Sequence, residues 1–134
     1  MEIKQKHIIL KFWFFPLNLP LKEITSYEKN WSNQLSEKRK YQYQYSRGYT
    51  RFALSTILNI EPLLIPLVSA PGKPPYLEED NGYLSISHCR DALFVAWSKS
   101  KIGIDIESNN RDIDFKKISN QLYSKEENEY IYSE

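Results

Sequence analysis

Asp105 and Glu107 stand two residues apart in the run Ile102-Gly103-Ile104-Asp105-Ile106-Glu107, and their types and spacing suit a hard cation. In an extended chain successive side chains point to opposite faces, so Ile102, Ile104 and Ile106 face one way and Gly103, Asp105 and Glu107 the other. The isoleucines would then bind a core. The carboxylates would lie roughly 6.5 to 7 Å apart along the strand, close enough to share one divalent ion. Gly103 leaves open space beside them for a ligand. The same spacing also describes an edge strand whose acidic face meets water.

Four other groups of residues carry possible chemistry. Gly72-Lys73-Pro74 sets a cation on a stiff, extended loop where it could meet a phosphate, although a loop lysine is commonly only solvated. Ser87-His88 offers a hydroxyl and an imidazole at the end of a predicted strand, a pair that also occurs as ordinary polar structure. Arg51 follows Arg47 by one helical turn, and Lys38, Arg39 and Lys40 cluster near the start of the same predicted helix, where they could equally form a solvated basic face. In Tyr123-Ser124-Lys125-Glu126-Glu127, Ser124 could cap a helix with Glu126 and Glu127 in its first turn.

These residues need elements to position them. The apolar run from His7 to Phe15, interrupted by Lys11, is far shorter than a bilayer span and reads as a buried first strand. Beyond Pro16 and Pro20, the spacing of Leu21, Ile24, Tyr27 or Glu28, and Trp31 predicts a helix over 21–35. Ser36 offers an N-cap for a second helix with Tyr41, Tyr45, Tyr49, Phe52, Ala53, Leu54 and Ile57 at threes and fours, and Gly48 marks a kink or close packing within it. Five prolines between Glu61 and Pro75 predict an extended connection. Three strands are expected at Tyr83 to Ser87, Ala92 to Ser98 and Lys101 to Glu107, the last two joined as a hairpin around Ser98 to Ser100. Helical spacing returns from Asp114 through Phe115, Ile118, Leu122 and Tyr130 to the end of the chain. The fold class is α+β, helices packed on a small antiparallel sheet.

Composition narrows the function classes. The 134 residues suit one ordinary domain, and 18 Lys+Arg against 17 Asp+Glu leave a net charge of +1. A basic site must therefore be local, and nucleic-acid binding is disfavoured despite ten tyrosines, because stacking platforms normally come with a basic groove. Cys89 is the single cysteine, which excludes an internal disulfide and a cysteine-based zinc site and fits a cytoplasmic protein. It reads as a small thiol without a reactive role, since only Arg90 stands nearby to activate it. No membrane association is expected. A magnesium-dependent phosphohydrolase built on Asp105 and Glu107 would lack a recognisable nucleophile or further acidic cluster.

The order of the motifs is more specific than any one of them. An arginine-bearing helix, Gly-Lys-Pro, a strand ending in Ser-His, Ile-Gly-Ile-Asp-Ile-Glu and an aromatic-Ser-x-x-Glu sequence together resemble the 4'-phosphopantetheinyl transferases of the surfactin type, from about Glu37 to Glu127. The resemblance implies magnesium-dependent transfer of phosphopantetheine from coenzyme A to a serine of an acyl, peptidyl or aryl carrier protein, with release of 3',5'-ADP. On it, Asp105 and Glu107 match the metal positions. Lys73, Ser87, His88 and Arg51 match positions that hold the coenzyme's phosphates and adenosine, and Lys38 a basic position at its 3'-phosphate. Glu127 matches the acidic, catalytic position of the third motif. Two departures stand out: Ser85 and Cys89 flank the Ser-His core where the family usually has asparagine and serine, and no Trp-x-x-Lys-Glu sequence follows Glu127. The resemblance thus implies a half-domain over 1–112 and the truncated start of a second half over 113–134. A second chain or a self-associated copy would supply the rest. A non-catalytic remnant that binds coenzyme A or a carrier protein is the alternative.

Overall fold

The computed structural model describes residues 9–89, 91–108 and 131–133. Its central sheet has the order β4-β5-β1-β6, formed by β1 (Leu10–Pro16), β4 (Tyr83–Cys89), β5 (Ala92–Ser98) and β6 (Ile131–Ser133). β5 is one of two inner strands and runs antiparallel to both its neighbours, with Trp13 opposite Val95 on one side and Ile86 opposite Val95 on the other. Every residue of β5 is buried, because both faces of the sheet are covered. Alternation sorts the side chains: Trp13, Phe15, Leu84, Ile86, Leu93, Val95 and Trp97 belong to one face, which we call the inner face. Phe12, Phe14, Ala92, Phe94 and Ala96 belong to the other, outer face.

Two helices lie between β1 and the proline-rich connection. α1 (Ser26–Ser32) is shorter than the expected 21–35, because Thr25 closes a capping box with Glu28: each side chain bonds the other's backbone N–H, at 3.2 and 2.9 Å. α2 (Glu37–Leu58) starts after Ser36 and stops at Asn59, which takes a left-handed conformation. α2 lays Tyr45, Tyr49, Ala53 and Leu54 on the inner face of the sheet. Gly48 allows segment 20–25 to approach: a Cβ there would stand 2.8 Å from the Lys22 carbonyl oxygen, so it marks close packing.

One side of α2 carries a tyrosine ladder. Tyr41, Tyr45 and Tyr49 recur every four residues, with ring centroids 5.9 and 4.5 Å apart. Their hydroxyls donate to the carbonyls of Leu17, Pro16 and Pro20, tying the turn after β1 to the helix. The connection over 61–75 is extended as expected, apart from a 3₁₀ turn at Pro62–Leu64 and a small ribbon of β2 (Leu67–Val68) with β3 (Tyr76–Leu77).

The expected strand Lys101 to Glu107 is corrected: residues 101–108 form a helix, α3. The hairpin joins β4 to β5, and the serines after β5 begin the helix. Ser98 Oγ accepts from the Ser100 N–H at 3.2 Å, and Ser100 Oγ accepts from the Gly103 N–H at 3.4 Å, an N-cap arrangement. α3 packs Ile104 on the outer face of the sheet. The helical pattern expected up to Glu134 is also corrected at 131–133, which pairs with β1 as β6; the part from Asp114 to Tyr130 lies outside the described residues. Among the described residues no helix is long and apolar enough to cross a membrane.

Candidate functional site

A second stripe of α2, Arg39, Tyr43, Arg47 and Arg51, also recurs every four residues, but its two lower arginines end in different places. Arg51 is 3% exposed and fully engaged. Its Nη2 meets Glu28 Oε2 at 3.0 Å, its Nε donates to the same carboxylate, and its Nη1 donates to the carbonyls of Pro62 and Ile65 at 2.9 and 3.0 Å. Ser69 Oγ donates to Glu28 as well. Burial would push the Glu28 carboxyl up, but hydrogen bonds from Arg51, Ser69 and the Thr25 N–H outweigh it and hold the group below the usual carboxylate range. This cluster joins α1, α2 and the connection. It leaves Arg51 no free face for a coenzyme.

Arg47, one turn earlier and 8% exposed, reaches a cavity. Its Nε donates to the Ser69 carbonyl at 3.2 Å and its Nη1 to Ser46 Oγ at 2.8 Å, while the guanidinium lies 4.7 Å from the centre of the Tyr43 ring. The cavity, about 150 Å³, is lined by Arg39, Ser46, Arg47, Gly72 and His88 among others, and by no carboxylate among the described residues. Gly72 belongs there for backbone reasons, since its φ of 81° is one that residues with a side chain rarely adopt. His88 stands at the rim. Desolvation and then the positive charge of Arg47 hold its imidazole below the ordinary histidine value, so it is neutral at pH 7 and can take up a proton when an anion arrives. Two guanidinium groups and an imidazole around a small concave space suit a phosphate.

The other expected residues are placed as follows. Lys38 is exposed on α2, next to Arg39. Lys73 is exposed beside Gly72 on the loop that closes the cavity. Ser87 and His88 point to opposite faces of the sheet, so the structure separates the pair: His88 faces the cavity and Ser87 the outer face, where its Oγ is buried without a hydrogen-bond partner among the described residues. Glu127 lies outside the described residues.

Asp105 and Glu107 are not brought together. Residues two apart on a helix stand about 200° apart around its axis. Asp105 is exposed and lines a groove of about 440 Å³ with Lys101, Ile104, Tyr83 and Leu84, whereas Glu107 is 4% exposed on the inward side of α3. Among the described residues no group of three or more His, Cys, Asp or Glu side chains is placed to hold a metal. The arrangement does not fit a magnesium ion.

The motif order picks Arg51 and gives Arg47 no role of its own. The available signal was the i, i+4 stripe of Arg39, Tyr43 and Arg47, which puts an aromatic ring between two guanidinium groups. No protein-family model, no curated protein and no solved structure matches this chain.

Proposed function

We propose that this chain takes part in 4'-phosphopantetheinyl transfer from coenzyme A to a carrier-protein serine. In that reaction the serine Oγ forms a bond to the phosphorus that carries pantetheine. The bond from that phosphorus to the bridging oxygen breaks, and 3',5'-ADP leaves. The observation that carries the reading is the convergence of three separate motif segments, the basic helix, the Gly-Lys-Pro loop and the Ser-His strand end, on one small cationic cavity through Arg39, Arg47, Gly72 and His88. Coenzyme A is a polyanion, and a cavity with two arginines and, among the described residues, no carboxylate favours a phosphate group. On this reading Arg47 takes the contact that motif order assigns to Arg51, and Lys38 and Lys73 are exposed next in sequence to the lining residues Arg39 and Gly72. The cavity then belongs to a half-domain over 1–112, and the protein acts in the cytoplasm.

A second reading, a remnant that binds coenzyme A or a carrier protein without turnover, is favoured by one observation: Asp105 and Glu107 lie on different sides of α3. Incubation with coenzyme A, magnesium chloride and an apo carrier protein, followed by mass spectrometry of the carrier, separates the two. A mass gain of one phosphopantetheine is expected for the transferase. Calorimetric binding of coenzyme A or of the carrier protein with no mass gain identifies the remnant, and binding of neither removes both readings.

A further inference from the structure

Ser69 belongs to two parts of the molecule at once. It follows the ribbon of β2 and β3, whose pairs Leu67–Leu77 and Val68–Tyr76 fix the chain just before it, and it stands three residues before Gly72 of the cavity wall. It is 2% exposed, so its polar atoms need partners inside the protein. Its Oγ donates to Glu28, whose carboxylate is held in turn by Arg51 at 3.0 Å. Its carbonyl accepts twice, from the Tyr43 hydroxyl at 2.9 Å and from Arg47 Nε at 3.2 Å. Tyr43 and Arg47 both line the cavity, and the guanidinium lies over the Tyr43 ring. One peptide carbonyl therefore sets both members of that stacked pair, and one side chain fastens the peptide to the buried ion pair of the scaffold. The charges in this cluster do not balance among the described residues. Arg47, Arg51 and Glu28 are all buried, two positive groups to one negative. Desolvation holds the Arg47 guanidinium below the ordinary arginine value, with the charge of Glu28 opposing the shift and that of Arg51 adding to it. An anion in the cavity supplies the missing charge.

We propose that Ser69 is a positioning residue for anion binding: its hydroxyl, anchored on the Glu28–Arg51 pair, fixes the peptide whose carbonyl aims Arg47 and Tyr43 at the cavity. Ser69 itself does not line that cavity. The proposal rests on the transferase reading only for the identity of the anion, coenzyme A. A guanidinium already held in one orientation loses less rotamer freedom when it meets a phosphate. Removing the anchor therefore lowers affinity although no ligand contact is lost.

The test uses the full chain, labelled with ¹³C and ¹⁵N. Exchange of the Arg47 and Arg51 Nε protons with water is followed by NMR, and inorganic pyrophosphate and coenzyme A are titrated by calorimetry. Ser69→Ala is expected to speed exchange at Arg47 about tenfold and to leave Arg51, which keeps its carboxylate, slow. Both ligands are expected to bind about fivefold more weakly. In an Arg47→Gln background the same substitution is expected to cost less than about twofold further, because Ser69 acts through Arg47. Unchanged exchange at Arg47, equal loss of protection at both arginines, or the full loss of affinity in the Arg47→Gln background each overturns the proposal and leaves the transferase reading standing. If Ser69→Ala does not fold, the wild-type chain decides: pyrophosphate is expected to shift the Ser69 carbonyl ¹³C resonance, and binding that leaves it unmoved overturns the proposal. Wild-type protein that binds pyrophosphate but not coenzyme A overturns the transferase reading alone, and binding of neither overturns both.

Discussion

The inner face of the sheet is closed by α2, whose Tyr45, Tyr49, Ala53 and Leu54 meet Trp13, Phe15, Leu93 and Val95, while the outer face is closed by α3, which brings Ile104 to Phe14 and Phe94. On the inner side apolar residues are buried, and the tyrosines of α2 together with Arg47 and Arg51 find carbonyl or carboxylate partners. On the outer side a carboxylate is buried and two isoleucines are not. Pattern and packing agree on one face and conflict on the other. The difference separates a scaffold from a segment whose burial runs against its own pattern.

The largest expected effect lies in the scaffold. Arg51→Ala would leave the buried Glu28 charge uncompensated and cost about 3 to 5 kcal/mol in urea unfolding, a large part of a small domain's stability. If it kept the wild-type midpoint and lost only coenzyme binding, Arg51 would be a ligand contact after all. The double variant Glu28→Gln with Arg51→Met is expected to be less destabilised than the sum of its singles. Because the Glu28 carboxyl is held below its unfolded value, the stability it confers is present above that value and is lost as pH falls through the folded one.

Next come the two faces compared directly. Leu93→Ala on the inner face should cost about 2 to 5 kcal/mol, whereas Ile106→Ala on α3 should stay within about 0.5 kcal/mol. A large loss at Ile106 would mean that this isoleucine is part of the core and would erase the contrast between faces.

Smaller effects belong to the cavity. Arg47→Gln should weaken coenzyme A binding about tenfold by calorimetry, the size expected for losing a charge-assisted hydrogen bond. His88 is held neutral at pH 7, and an anion favours its protonated form, so binding takes up a proton and tightens as pH falls from 7 toward the lowered histidine value. Asn at position 88 should flatten that dependence. Comparing His88→Asn with the wild type cancels the titration of the coenzyme's own phosphate, and equal slopes would place the anion elsewhere.

Much of this architecture was legible from residue pattern. The apolar run of β1, the 22-residue α2 with its tyrosines at four-residue spacing and the uninterrupted Ala92–Ser98 each leave one dominant period. α1 came out too long because Thr25-x-x-Glu28 sets its start more sharply than apolar spacing does. Residues 101–108 were misread because strict alternation and Ser100 capping support different elements over the same residues. In the site, local sequence placed Arg47 and Arg51 on one stripe but held no record of how the connection folds over it. That fold buries Arg51 beneath Pro62 and Ile65 and leaves Arg47 facing the cavity, a long-range outcome.

The tyrosine ladder also sets an upper limit to the conditions this protein tolerates. Burial raises the phenol groups of Tyr45 and Tyr49 above the ordinary tyrosine value, so the stability they confer is intact below that value and is lost as pH climbs through the raised ones. A phenolate has no proton to give to the carbonyls of Pro16 and Pro20, so alkali releases the turn after β1 by turning its donors into acceptors.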